Sequence, residues 1–81
     1  MLYDEEKDFY VALGGNLSAL RAEFGYTQAQ FARALNTPVS TYAGYESGVR
    51  KTPVIVLVKI ANTLNVSMDR LILGENNHKD N

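Results

Sequence analysis

The sequence predicts an all-α fold, a compact bundle of five helices. Apolar residues recur every three or four positions from Phe9 to Phe24 and again from Val54 to Leu64, the period of a helix with one buried face. Thr, Ser and Pro start signals alternate along the chain with Gly and Asn stop signals. No segment carries a strand pattern strong enough to compete. With 81 residues the chain makes one domain, and its thin core needs tight helix packing or a second copy.

The first helix is expected from about Asp4 to Phe24, burying Phe9, Leu13, Leu17, Leu20 and Phe24. Its acidic DEEKD start is a solvated, dipole-favoured first turn. Gly14-Gly15 costs about 1 kcal/mol per glycine relative to alanine and predicts a kink. Gly25 stops the helix in the left-handed region. The second helix has the clearest start. Thr27 and Gln30 form a capping box, and Tyr26 and Phe31 stand where a hydrophobic staple places them. Phe31, Ala32 and Leu35 make its buried face, and Asn36 ends it.

Thr37-Pro38 starts the third helix, with threonine as cap and proline at the first helical position. That helix runs to about Ser47, carries Tyr42 and Tyr45 on its core side and is closed by Gly48. Thr52-Pro53 repeats the signal for a fourth helix ending near Leu64. Its Val54-Ile55-Val56-Leu57-Val58 run reads alone as a buried strand, but Ile60, Ala61 and Leu64 continue it at helical spacing. Ser67 caps a short fifth helix, Met68 to Leu73, stopped by Gly74. The polar residues that follow are expected to be disordered.

Composition narrows the function classes. There is no cysteine, so neither a disulfide framework nor a thiolate metal site is available. His78 has no second ligand near it, and no metal is expected. The amino terminus lacks the basic-then-apolar order of a signal peptide, and the longest apolar run is too short to span a bilayer. A cytoplasmic protein without membrane contact is the expectation. The sequence offers no ordered histidine, no glycine-rich phosphate loop and no close carboxylate pair outside the solvated amino terminus. Neither an enzyme nor a cofactor is expected. The net charge of −1 hides a polarity: residues 1–16 carry −3, residues 17–73 carry +3, and the remainder carries −1. A mildly basic centre between acidic ends leaves phosphate contacts possible.

The second helix, the turn at Asn36-Thr37 and the third helix make a helix-turn-helix of about twenty residues, the arrangement that projects a helix into a groove about 12 Å wide. Ala32 must be small where the third helix crosses it. Leu35, Tyr42 and Tyr45 fill the angle between the two helices.

The stretches LSALRAEFGYTQAQFARAL, STYAGYESG and LVKIANTLNVSMDRLILG resemble the Cro and phage-repressor (XRE) helix-turn-helix family over about residues 13–74. The resemblance rests on separate signatures in order: Thr-Gln-Xaa-Xaa-Phe-Ala, Tyr-Glu-Ser-Gly and Ile-Ala-Xaa-Xaa-Leu-Xaa-Val-Ser-Xaa-Asp-Xaa-Leu. It implies a lambda-repressor-like DNA-binding domain at 13–74, with an acidic extension at 1–12 and a tail at 75–81. It further implies a sequence-specific transcriptional regulator of repressor or controller type. Such a protein binds double-stranded DNA at a palindromic operator as a homodimer, with helix 38–47 in the major groove. By the same resemblance Gln28 bonds a backbone phosphate, and Val39, Ser40, Thr41, Ala43 and Gly44 face the bases. Ser47, Arg50 and Lys51 touch the sugar–phosphate backbone.

The chain departs from the family at Asn36, where glycine is usual, and at Thr37, where an apolar residue is usual. Its base-facing set contains no Arg, Lys, Asn or Gln, so specificity is expected from the Ser40 and Thr41 hydroxyls, from methyl contacts of Val39, Thr41 and Ala43 to thymine, and from DNA shape. The resemblance also pairs Arg21 with Glu46. Physical chemistry agrees, because a carboxylate in the last turn of a helix faces the negative end of the dipole and wants a cation. Ile55 and Val56 stand where related domains are polar and, with Met68, are expected to form a dimer interface. The alternative reading is a protein-interaction module, antitoxin-like or binding another regulator, with weak or no DNA binding.

Overall fold

The structure, a computed structural model, describes residues 2–74, and their side chains from residue 5 onward. The expectations for the tail at 75–81 and for the charge of Asp4 lie outside the described side chains. Among the described residues there are five helices and no strand: α1 Leu2–Glu23, α2 Gln28–Ala34, α3 Val39–Ser47, α4 Val54–Leu64 and α5 Met68–Leu73. α1 packs against α3 and α5, α2 against α3, and α4 against α5.

Local chemistry sets the helix ends. At the end of α1, Gly25 takes φ 85°, the Gly25 amide donates to the Ala22 carbonyl and the Tyr26 amide to the Arg21 carbonyl. That Schellman ending satisfies carbonyls the helix would otherwise leave bare. Asn36 (φ 56°) closes α2 the same way, its amide on Arg33 and the Thr37 amide on Ala32. Asn65, at φ 57°, does so after α4, a stop the sequence reading passed over. The capping box at Thr27 and Gln30 is complete, and the Tyr26 and Phe31 rings sit 5.0 Å apart.

Two start signals work differently from expectation. Pro38 and Pro53 are extended and hold the cap positions themselves, so α3 and α4 begin one residue later, at Val39 and Val54. The Pro38 carbonyl accepts from the Tyr42 amide, the first bond of α3. Thr37 is already engaged in closing α2, and its hydroxyl donates to the Leu35 carbonyl rather than accepting from α3. Thr52 is buried and also makes no cap bond.

The core joins Leu13, Leu17 and Leu20 of α1 to Phe31, Ala32, Leu35, Tyr42, Tyr45, Leu71 and the inner face of α4. Phe9 and Phe24, expected on that face, are 45% and 43% exposed and stay outside the core. α1 runs as one helix from Leu2 to Glu23 through Gly14-Gly15. The reason for Gly14 is contact: a Cβ there would overlap the backbone carbonyls of Tyr45 and Glu46. On α4 the residues Val56, Leu57, Ile60, Ala61 and Leu64 face inward, while Val54, Ile55 and Val58 are exposed. The expectation of an interface containing Val56 is therefore corrected. At 100° per residue it falls on the core face, 6% exposed, while its neighbour Ile55 points away at 62%. Met68 likewise packs half-buried against its own core.

Candidate nucleic-acid interface

Helical geometry divides α3 into two faces. Tyr42 and Tyr45 point inward, and Tyr42 meets Phe31 and Tyr45 edge-to-face at 5.5 and 6.3 Å. The opposite stripe carries Val39, Ser40, Ala43, Gly44 and Ser47, spaced by one and four residues. Val39 and Ser40 are exposed at its start, and Ala43 and Gly44 half-buried behind them. Thr41, a step round the helix, is half-buried on the flank. The stripe is made of hydroxyls, methyls and a glycine, without a formal charge.

What holds this helix is a polar hub at Glu46. Its carboxylate accepts from the Arg21 Nε at 2.6 Å and Nη2 at 3.3 Å, from the Gln28 Nε2 at 2.8 Å and from the Tyr42 hydroxyl at 2.5 Å. Arg21 also donates through Nη1 to the Tyr26 carbonyl at 2.6 Å, so one guanidinium spans α1, the turn before α2 and the end of α3. Only 15% of the Arg21 side chain and 6% of the Glu46 side chain reach solvent. Burial pushes the Glu46 carboxyl up, but the hydrogen bonds from Arg21, Tyr42 and Gln28 and the charge of Arg21 outweigh it, leaving the group below the usual carboxylate range. Burial, reinforced by the bond to Glu46, pushes the Tyr42 phenol up, so it stays a donor. The bond to Glu46 raises Arg21 further above its ordinary value.

Gln28, expected on a phosphate, thus spends one amide hydrogen on Glu46, and only the second hydrogen and the carbonyl oxygen face elsewhere. The spacing Tyr42 to Glu46, one helical turn, was legible as a possible bond in the sequence. The arrival of Gln28 was not.

The segment after α3 folds back on the helix. Gly48 is left-handed at φ 83° and lies against Val11 of α1. The Gly44 carbonyl accepts from the Gly48 amide, the Arg50 amide (both 3.1 Å) and the Ser47 hydroxyl (3.2 Å). The Ser47 hydroxyl also receives the Val49 amide, which commits it to the helix end. Arg50 and Lys51 are both exposed, and the Arg50 stem lies against Gly44 of the stripe. Lys51 donates to Glu6 at 2.9 Å, across a shallow groove between α1 and this loop, and the bond raises the Lys51 pKa. Glu6 belongs to the charge run at the start of α1, and no local signal links it to Lys51. Asn16, also unremarked, fastens α1 to the end of α5 by donating to the Leu71 carbonyl at 2.9 Å.

The Helix-turn-helix family model matches residues 17–71, which takes in the Arg21–Glu46 hub and all of α2 to α4. The chain belongs to the Cro and phage-repressor (XRE) helix-turn-helix family. Among proteins of this family, the uncharacterized HTH-type transcriptional regulator YqaE of Bacillus subtilis (strain 168) is 38% identical over 64 residues, covering 79% of this chain and 55% of the relative. The HTH-type transcriptional regulator ImmR of the same organism is 36% identical over 62 residues, covering 76% of this chain and 49% of the relative. The chain thus spans about half the length of the curated relatives it matches. The crystal structure of the restriction-modification controller protein C.AhdI from Aeromonas hydrophila superposes with a TM-score of 0.72 at 27% identity, over 76% of this chain and 94% of that one. This helix-turn-helix family is one of transcriptional regulators. Among the described residues no helix is long and apolar enough to cross a membrane.

Proposed function

We propose that this chain is a sequence-specific DNA-binding regulator of transcription, of repressor or controller type, that inserts α3 into the major groove. The observation that carries the reading is the outward stripe of α3. It is clear of charge, it is held from behind by the Glu46 hub, the Arg50 stem lies against it at Gly44, and the exposed cation Lys51 follows in the chain. Phosphate contacts position such a helix and base contacts specify the site. The test is selection from a random duplex pool at low salt. An enriched palindromic sequence supports the proposal, and failure of every duplex to bind overturns it.

The protein acts as a homodimer on that site in this reading. Val54, Ile55 and Val58 form an exposed apolar strip on α4 at 70%, 62% and 38% exposure, more than a lone small domain gains from leaving in water. Ile55 is kept from the expected interface, and Val54 and Val58 join it. A two-fold axis there would set two recognition helices about 34 Å apart, one turn of B-DNA. The same strip also suits a different protein partner. Salt separates the readings, since binding through phosphates falls steeply as salt rises and binding through an apolar surface barely changes.

A further inference from the structure

The outward stripe of α3 lacks any side chain able to make a bidentate contact with a purine, and Gly44 leaves a gap in its middle. That gap is occupied from outside the helix. A Cβ at position 44 would stand 2.8 Å from Cδ of Arg50, 2.9 Å from its Cγ and 3.2 Å from its Nε. The Arg50 side chain lies across α3 through the space that a side chain at 44 would need. Its backbone is fixed there too, because the Arg50 amide donates to the Gly44 carbonyl at 3.1 Å and the left-handed Gly48 turns the chain back. Gly44 itself has no positive φ, so the backbone does not require glycine at this point. A glycine inside a helix is unfavourable, and room for Arg50 accounts for it.

Arg21 is bound to Glu46, Lys51 to Glu6 and Arg70 to Glu23. Among the described residues this charge pairing leaves Arg50 without an ion pair, as it does Lys7, Arg33 and Lys59, which lie on α1, α2 and α4. The Arg50 guanidinium is exposed and carries a planar fork of donors.

We infer that Arg50 is the base-reading side chain of this domain: laid over Gly44, it delivers its guanidinium into the groove from the stripe of α3 and recognises a guanine through O6 and N7. This rests on the DNA-binding reading above and departs from the expected phosphate role of Arg50. The loop after α3 then determines specificity at one base pair, and Ser40, Thr41, Val39 and Ala43 supply the surrounding hydroxyl and methyl contacts.

The test starts from the duplex selected by the wild-type chain out of a pool of random 20-base-pair duplexes. Affinities of wild type, Arg50→Ala, Arg50→Lys and Gly44→Ala are then measured on every single-base-pair variant of that duplex. Wild type should prefer G·C at one position of each half-site by about tenfold or more. Arg50→Ala should reduce that preference to within about twofold while keeping the other positions. Arg50→Lys retains the charge but not the fork and should lose most of it. Gly44→Ala, whose Cβ displaces the Arg50 stem, should blunt the same position with its helical circular dichroism intact. If Arg50→Ala weakens all duplexes alike and lowers the salt slope by about one ion, Arg50 is a phosphate contact and the inference is overturned. An unchanged Gly44→Ala preference also overturns it. A wild-type chain that selects no duplex brings down the DNA-binding reading itself, and this inference with it.

Discussion

Gly14 of α1 and Glu46 of α3 are in backbone contact, with no room for a methyl group between them. This close approach brings α1 near enough for Arg21, two turns further on, to reach the Glu46 carboxylate. The next residue, Gly15, has nothing within 4 Å of where its Cβ would stand. Two adjacent glycines therefore have opposite substitution costs. Gly14→Ala should destabilise the fold by about 2 kcal/mol or more, because backbone rather than a flexible side chain must move. Gly15→Ala should stabilise it by up to about 1 kcal/mol, the ordinary helix preference. Denaturant unfolding of the two variants measures both.

The Arg21–Glu46 pair should behave as a buried interaction. Removing one partner leaves the other poorly solvated, so Arg21→Met or Glu46→Gln should each cost on the order of 3 kcal/mol. The double mutant should cost clearly less than the two losses added together, a coupling above about 1 kcal/mol. Two small, additive losses would mark the pair as no more than a surface contact.

The pH dependence follows from the same carboxylate. The folded Glu46 pKa lies below its unfolded value, so the folded state favours the ionised form. Its contribution is fully present above the unfolded value, about 4.3, and is lost as pH falls through the folded value. Unfolding free energies taken downward from about pH 5 should drop more steeply in wild type than in Glu46→Gln. Parallel acid limbs for the two proteins would contradict this. Tyr42→Phe removes one of the stabilising bonds and should fall between them.

Glu6 pairs with the Lys51 ammonium, a group proposed to meet a DNA phosphate. Glu6→Gln should therefore tighten DNA binding modestly, by a few-fold at low salt. Lys51→Ala should weaken all duplexes alike and reduce the slope of log K against log salt by about one. Titrations at several salt concentrations separate these effects from any change in sequence preference.

Assembly is tested by two neighbours on α4. Ile55→Asp should abolish self-association in sedimentation and leave monomer stability nearly unchanged, since Ile55 is exposed. Val56→Ala should do the reverse, costing about 2 kcal/mol of folding free energy with association retained per folded molecule. Association that persists undiminished in Ile55→Asp would place the dimer elsewhere.

The sequence by itself determined most of the helix ends, because those signals act within one turn; the starts at Pro38 and Pro53 and the stop at Asn65 are the exceptions. Thr27 with Gln30, Ser67 with the Arg70 amide, and Gly25, Asn36 and Gly48 in the left-handed region need only their immediate neighbours. The inward face of α3 was legible for the same reason: Tyr42 and Tyr45 are the large apolar residues on a short helix. Tertiary structure alone decided which neighbour on α4 is buried, why Gly14 is glycine, and where Gln28, Lys51 and Arg50 send their side chains. The Arg21–Glu46 pair, 25 residues apart, was expected from the family resemblance and the helix dipole. Gln28 and Glu46, by contrast, are 18 residues apart and Glu6 and Lys51 are 45. Meetings over such separations depend on the rotation and crossing of whole helices. Those are set by the core packing as a unit and leave no mark in the local pattern.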